Sequence, residues 1–301
     1  MILSNPNILK NNYLNYRNYL NISIKDVNIS KIHSDYQIKL FYFIKHYINK
    51  RIQSKIKNIK VKENISDESI IYLEIEYPYD FDSLKVYRLL KYYSDNLKYN
   101  LLYIQIKTQQ VETFNKKKDL QELFIKKYYP LQFDCFSRIN KFTTHKIYEK
   151  IALYLKKNNN ILTCFGRDII IPSNLKFDIF KKVDVVSHNK SIIDLSIKFN
   201  PKINTYLLSK DLYYKYLEKN NLNNTTIFIS ASKKGLLYNF IEALTKITNL
   251  NLIIIWCDFL VMKKDVSLLL NAGFYISDSD TFEEHPHTNI NNLSTLINFI
   301  I

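Results

Sequence analysis

Along the later part of the chain, short apolar runs alternate with stretches whose apolar side chains recur every three to four positions. Short runs bounded by polar residues read as buried strands, and the longer spacing reads as helices packed by one face. The pattern predicts a helix over 142–155, strands over 161–165 and 183–186, a helix over 190–199 and a strand over 205–208. A helix over 212–217, a strand over 226–230, a helix over 237–248 and a strand over 252–256 continue it. A helix-like segment over 261–270, Gly273, a strand over 274–277 and the turn Glu284-His285-Pro286-His287-Thr288 follow. Strands alternating with helices imply a parallel, doubly wound sheet. Ligands of such sheets gather at the carboxyl ends of strands. Cys257, directly after the 252–256 strand, stands at such an end.

The earlier part is less regular. Leu20, Ile22 and Ile24 alternate as in a strand. Phe41, Ile44, Ile48, Ile52 and Ile56 keep helical spacing over 35–57, and Lys39, Lys45, Lys50, Arg51, Lys55 and Lys57 occupy much of the remaining surface. That surface is either the solvated side of a core helix or one that faces RNA. A strand over 69–77 (Ile71, Leu73, Ile75), a helix over 81–97 and a strand over 101–107 complete this region. The rhythm changes near residue 130 without a Gly/Ser- or Pro-rich linker. The expected fold class is therefore α/β, with a smaller α/β or α+β module over 1–130 and a larger α/β domain over 131–301.

Composition narrows the partners. The 301 residues are 47% hydrophobic, as in a globular protein, and 43 basic against 28 acidic residues give a net charge of +15. Such a surplus points to a polyanion, most simply nucleic acid. Asn, Ile and Tyr are abundant too, the mark of an AT-rich genome, so part of the lysine content has a compositional origin. Cys135, Cys164 and Cys257 are far apart and form no CxxC, which argues against a disulfide framework, a zinc site or an iron–sulfur cluster. No metal is expected. No apolar run reaches the ~18 residues of a membrane span, and residues 1–9 lack the basic and apolar regions of a secretory signal. The expected setting is the cytoplasm of an organism with a reduced AT-rich genome, or an organelle matrix.

Several segments, in order, resemble the RNA uracil-5-methyltransferases, built on the class I S-adenosylmethionine-dependent (Rossmann-like) methyltransferase fold. Ile254-Ile255-Trp256-Cys257-Asp258-Phe259 stands where that family has Y-I-S-C-N-P, whose Cys is the nucleophile. Lys264-Asp265-Val266, Leu269 and Gly273-Phe274 match the following R-D-L…L…G-Y, and His285-Pro286-His287-Thr288 matches F-P-H-T. Upstream, 226–236 is similar to T-I-F-V-D-P-P-R-x-G-L, and Phe136-Ser137-Arg138-Ile139-Asn140 sits at F-x-Q-x-N. Tyr16-Arg17-Asn18 fits the H-Y-R-x-R opening of the branch that methylates the T-loop of tRNA (the TrmA type). The absence of an N-terminal cysteine cluster suits that branch. All three glycines, Gly166, Gly235 and Gly273, fall where the family has one.

The resemblance implies a thiolate, Cys257, that adds to uracil C6 so that C5 can attack a sulfonium methyl, followed by proton removal by a carboxylate base. It implies S-adenosylmethionine as methyl donor, RNA (most simply tRNA) as partner and a monomer. The departures are concentrated in the polar groups. The base position holds Asn292. Of the cofactor positions, the Gln is Arg138, the first loop reads Phe165-Gly166-Arg167-Asp168 with its second Gly replaced, the ribose acid is Ser187 and the Asp of D-P-P-R is Ser230. Lys233 and Lys234 are candidate phosphate contacts or a plain solvated loop, and His287 and Thr288 line the place of the old base pocket. The expectation is an RNA-binding protein whose methyl transfer is weak or lost. The alternatives are an active enzyme with a rearranged pocket, and a noncatalytic structural or assembly protein such as an organellar ribosome component.

Overall fold

The computed structural model describes residues 35–47, 56–63, 68–75, 82–108, 110–115, 120–124, 127–131, 141–155, 160–283 and 293–301. They divide into two compact units. The first holds helix α1 (Asp35–Tyr47), strands β1 (Ile56–Glu63) and β2 (Glu68–Ile75), helix α2 (Ser83–Asn96) and strands β3 (Asn100–Lys107) and β4 (Val111–Phe114). The sheet runs β1-β2-β3-β4, with β2 and β3 parallel and the outer pairs antiparallel. A parallel pair needs a crossover, and α2 supplies it. Asp82 starts α2 by accepting the Lys85 backbone N–H at 2.9 Å. Ile71, Leu73 and Ile75 of β2 share a core with Leu40, Phe43 and Ile44 of α1 and with Val86 and Leu90 of α2. Buried Tyr36 ties that core together: its hydroxyl meets Ser94 at 2.9 Å and Ser69 at 3.1 Å.

One expectation fails here, and three strands were not expected. The helix expected over 35–57 is described only to Tyr47, and Ile56 and Lys57 belong to β1. The four-residue spacing of isoleucines carries into the strand by coincidence, while a register shift between Ile56 and Asn58 interrupts the alternation that would have revealed it. Strand β4 was not anticipated, nor were β5 (Leu120–Phe124) and β6 (Lys127–Leu131), which pair as a two-stranded sheet. The strand expected at 20–24 lies outside the described residues.

The second unit runs α3 (Lys141–Tyr154), β7 (Ile161–Phe165), α4 (Pro172–Leu175), β8 (Lys182–Ser187), α5 (Lys190–Phe199), β9 (Asn204–Leu207), α6 (Tyr213–Lys219) and β10 (Thr225–Ser230). It continues with α7 (Tyr238–Thr245), β11 (Asn251–Trp256), α8 (Phe259–Asn271), β12 (Tyr275–Glu283) and β13 (Leu293–Ile300). The sheet order is β12-β13-β11-β10-β7-β8-β9. The expected parallel sheet therefore needs one correction: the unanticipated β13 inserts antiparallel to both β11 and β12. The two-residue period sorts the side chains. Leu162, Cys164, Val183, Val185, Phe228, Ile253 and Ile255 pack with residues of α3, α4 and α5 on one face. Phe165, Val186, Ile227, Ile229, Leu252, Ile254 and Trp256 pack with α6, α7 and α8 on the other. Buried Asp184 is satisfied by Tyr216 (2.6 Å), Asn204 (2.9 Å) and Lys182 (2.8 Å). From β7 the chain winds outward through β8 to β9, then returns to β10 on the other side of β7. This reversal is a topological switch point, where open sheets form a ligand crevice.

Candidate functional site

Strand β11 is buried along its whole length, and the residue after it, Cys257, is exposed. The strand thus delivers a thiol to the carboxyl edge of the sheet. The Ser294 hydroxyl, on β13, donates to Cys257 Sγ at 3.7 Å. Asp258 next to it caps α8, accepting the N–H groups of Leu260 (3.0 Å) and Val261 (3.1 Å). About two turns further along α8, fully buried Asp265 accepts from Trp256 Nε1 at 2.9 Å and from the Leu236 backbone N–H at 3.0 Å. One carboxylate oxygen therefore joins the end of β11 to the loop that follows β10. Burial pushes the Asp265 pKa up, and the Trp256 and Leu236 N–H groups and Lys264 oppose the shift. The loop needs glycine where it meets this carboxylate: Gly235 has φ +78°, and a Cβ there would lie 2.5 Å from Asp265 Oδ1. A turn closed by Gly235 N–H to Ser232 O (2.9 Å) leaves Lys233 and Lys234 exposed on its outside.

The crevice between β7 and β10 is narrow. Gly166, after β7, has φ +115°, and a Cβ would lie 2.5 Å from the Ser230 carbonyl oxygen. Ser187, at the end of β8, is buried, and its hydroxyl donates to the Gly166 carbonyl at 2.8 Å. Asp168 is buried as well, and the Tyr148 hydroxyl of α3 donates to it. Ser230 is partly buried at the end of β10. These positions do not fit a nucleoside held as the resemblance implies. No carboxylate stands at the end of β8 for a ribose diol, the Ser187 hydroxyl serves Gly166, and the Asp168 carboxylate is bound by Tyr148.

The structure brings Cys257, Gly166, Ser187, Ser230, Lys233 and Lys234 to one edge of the sheet, whereas Asp168 turns inward towards α3. Arg138, His287, Thr288 and Asn292 lie outside the described residues. Several neighbours were missed by sequence reasoning. Arg167 Nε donates to His188 Nε2 at 3.4 Å, and His188 Nδ1 lies 3.3 Å from the Tyr213 hydroxyl. Burial, then Lys210 and Arg167, hold His188 below its ordinary pKa. Arg167 and His188 flank residues already singled out, so position alone could have flagged them. Asp265 stood in a matched motif, and its task was invisible without its partners.

Among the described residues no three His, Cys, Asp or Glu side chains gather as metal ligands, and no helix is long and apolar enough to cross a membrane. No protein-family model matches the chain, and no curated protein matches its sequence. Solved structures do match its fold. The Pyrococcus abyssi tRNA (uracil-54, C5)-methyltransferase in complex with S-adenosyl-L-homocysteine superposes with a TM-score of 0.62 at 13% identity, over 89% of this chain and 67% of that one. A putative SAM-dependent methyltransferase from Streptococcus mutans gives 0.52 at 10% identity, over 93% and 82%. The P. horikoshii TYW2 in complex with MeSAdo gives 0.50 at 10% identity, over 87% and 97%. At these identities the likeness is one of fold: a mixed α/β fold with a central sheet, as in class I S-adenosylmethionine-dependent methyltransferases.

Proposed function

We propose that this chain is a tRNA (uracil-5-)-methyltransferase-like protein that binds structured RNA, with the tRNA T-arm as its target and with methyl transfer weak or lost. The observation that carries the reading is the contrast along one edge of the sheet. The nucleophile position keeps an exposed thiol, Cys257, at the end of a fully buried strand. The neighbouring cofactor positions Ser187 and Asp168 are engaged by Gly166 and Tyr148. Losing hydrogen bonds from a charged acceptor, worth ~1.5–3 kcal/mol each, lowers cofactor affinity by orders of magnitude. The basic surplus of the chain and the fold likeness to a tRNA (uracil-54, C5)-methyltransferase support RNA as the partner.

Calorimetry of S-adenosylmethionine with the purified chain, beside gel-shift titration of unmodified tRNA, tests this. The expected result is RNA binding without cofactor binding at roughly micromolar concentrations. Micromolar cofactor binding overturns the loss of methyl transfer and calls for an assay of uracil methylation that depends on Cys257. Absence of RNA binding overturns the functional reading and leaves the fold.

A further inference from the structure

Cations gather at the carboxyl edge where the resemblance places an acid for a ribose. Arg167 follows β7, His188 follows β8, Lys210 opens the helical turn after β9, and Lys234 lies in the turn after β10. The four therefore stand on both sides of the switch point between β7 and β10, where open α/β sheets take their ligands. Arg167 and Lys234 are exposed; His188 and Lys210 are half-buried. Arg167 Nε donates to His188 Nε2, and His188 Nδ1 lies against the Tyr213 hydroxyl. Burial, then Arg167 and Lys234, hold the Lys210 ammonium below its ordinary pKa, and Asp211 opposes this least of the four. These groups feel one another. Like charges gathered at one edge of the sheet repel, and an anion placed among them would relieve that repulsion. An anion would also favour protonation of His188, adding a donor.

We propose that Arg167, His188, Lys210 and Lys234 form a phosphate-binding site, and that its occupant is a backbone phosphate of an RNA strand. The inference rests on the RNA-binding reading above and adds the place and the contacting groups. The continuation of the patch favours a polynucleotide over a small phosphorylated ligand. Lys233 is exposed beside Lys234, and Leu237 (39% exposed) and Tyr238 (75% exposed) follow within a few residues. A basic track interleaved with an open aromatic ring is what single-stranded nucleic acid uses, phosphates on cations and bases stacked on rings. Beyond β11 the same edge carries exposed Cys257, Phe259 and Leu260.

The test titrates a single-stranded RNA of about 12 nucleotides into the full chain and into an Arg167→Gln/Lys210→Gln variant, while the His188 ring is followed by NMR. Lys202→Gln/Lys219→Gln serves as control, removing the same charge from exposed positions that precede β9 and β10 at the opposite edge. The expected result is a loss of at least about tenfold in affinity for the crevice variant and a salt slope shallower by about 1–2. The His188 midpoint should rise by about one pH unit when RNA binds the wild type. Equal loss in variant and control, or no loss in the variant, overturns the site while RNA binding stands. A His188 response to inorganic phosphate or adenosine monophosphate but not to RNA overturns the polynucleotide as occupant. No RNA binding by the wild type overturns the RNA reading itself.

Discussion

The chemistry of single residues here is set by what surrounds them, and two thiols on strands either side of β10 make the point. Cys164 lies inside β7, fully buried, and burial, then the neighbouring Asp184, push its pKa well above the ordinary range. Cys257, one residue past β11, is exposed. Thiolate, not thiol, reacts with alkylating reagents. Iodoacetamide should therefore modify Cys257 in the native protein and reach Cys164 only after unfolding, as read by peptide mapping; equal labelling would contradict this placement. Asp265 gives a second residue-scale prediction. Asp265→Ala strands the buried Trp256 N–H and the Leu236 N–H and should cost about 2–4 kcal/mol. Asp265→Asn keeps an acceptor oxygen and should stay within about 1 kcal/mol of wild type at neutral pH. The sign of the pH effect follows from the raised folded-state pKa. Between the unfolded value of about 3.9 and the folded one, the native state binds more protons. The Asp265 contribution is fully present below the unfolded value and is lost as pH rises through the folded value. Urea midpoints should thus shift in favour of Asp265→Asn, relative to wild type, as pH rises from about 4 through the raised folded-state value.

At the scale of elements, the sheet is held at its switch point by close backbone approach. Gly166→Ala would set a Cβ 2.5 Å from the Ser230 carbonyl, which β10 pairs into the sheet and cannot withdraw, in a φ of +115°. A loss of about 2–4 kcal/mol in urea unfolding is expected. The strands from β7 to β11 were legible in the sequence, with α5, α6 and α7, because their periods are clean; the short α4 was not anticipated, and Gly166 was marked by the resemblance to the family's first cofactor loop. Strand β13 was not legible. Its Ser294, Thr295 and Asn298 are polar yet buried, and it joins the sheet by inserting between β11 and β12, a pairing no local pattern announces. Strand β1 was hidden by helical spacing that ran on into it and by the irregular register at Ile56 and Asn58. At the site, Cys257 and Ser187 could be placed from chain order alone. The inward turn of Asp168 could not, since its partner Tyr148 comes from α3, twenty residues earlier in the chain. The cation cluster could not either, because Arg167, His188, Lys210 and Lys234 follow four different strands and meet only once the sheet is wound.

For the whole molecule, the question is whether a net charge of +15 is a function or a by-product of codon bias. The two have different physical signatures. Lysines scattered over a surface attract any polyanion, through counterion release that is steeply sensitive to salt. At the edge of the sheet the half-buried Lys210 ammonium, beside His188, adds a contact that survives screening better than an exposed lysine does, since partly buried charges are screened less. Competition by heparin against a T-arm RNA hairpin, run at about 50 and 200 mM salt, separates them. If the charge is compositional, heparin displaces the hairpin at both salts, and affinity for either falls by orders of magnitude across the range. If the edge of the sheet is an RNA site, the heparin advantage should disappear at the higher salt while hairpin binding persists, and Arg167→Gln/Lys210→Gln should abolish that persistence without changing the low-salt binding of heparin. The second pattern is the expected one, because codon bias can raise the number of lysines but gives no reason for an arginine, a histidine and two lysines from separate loops to converge where the fold binds its ligands.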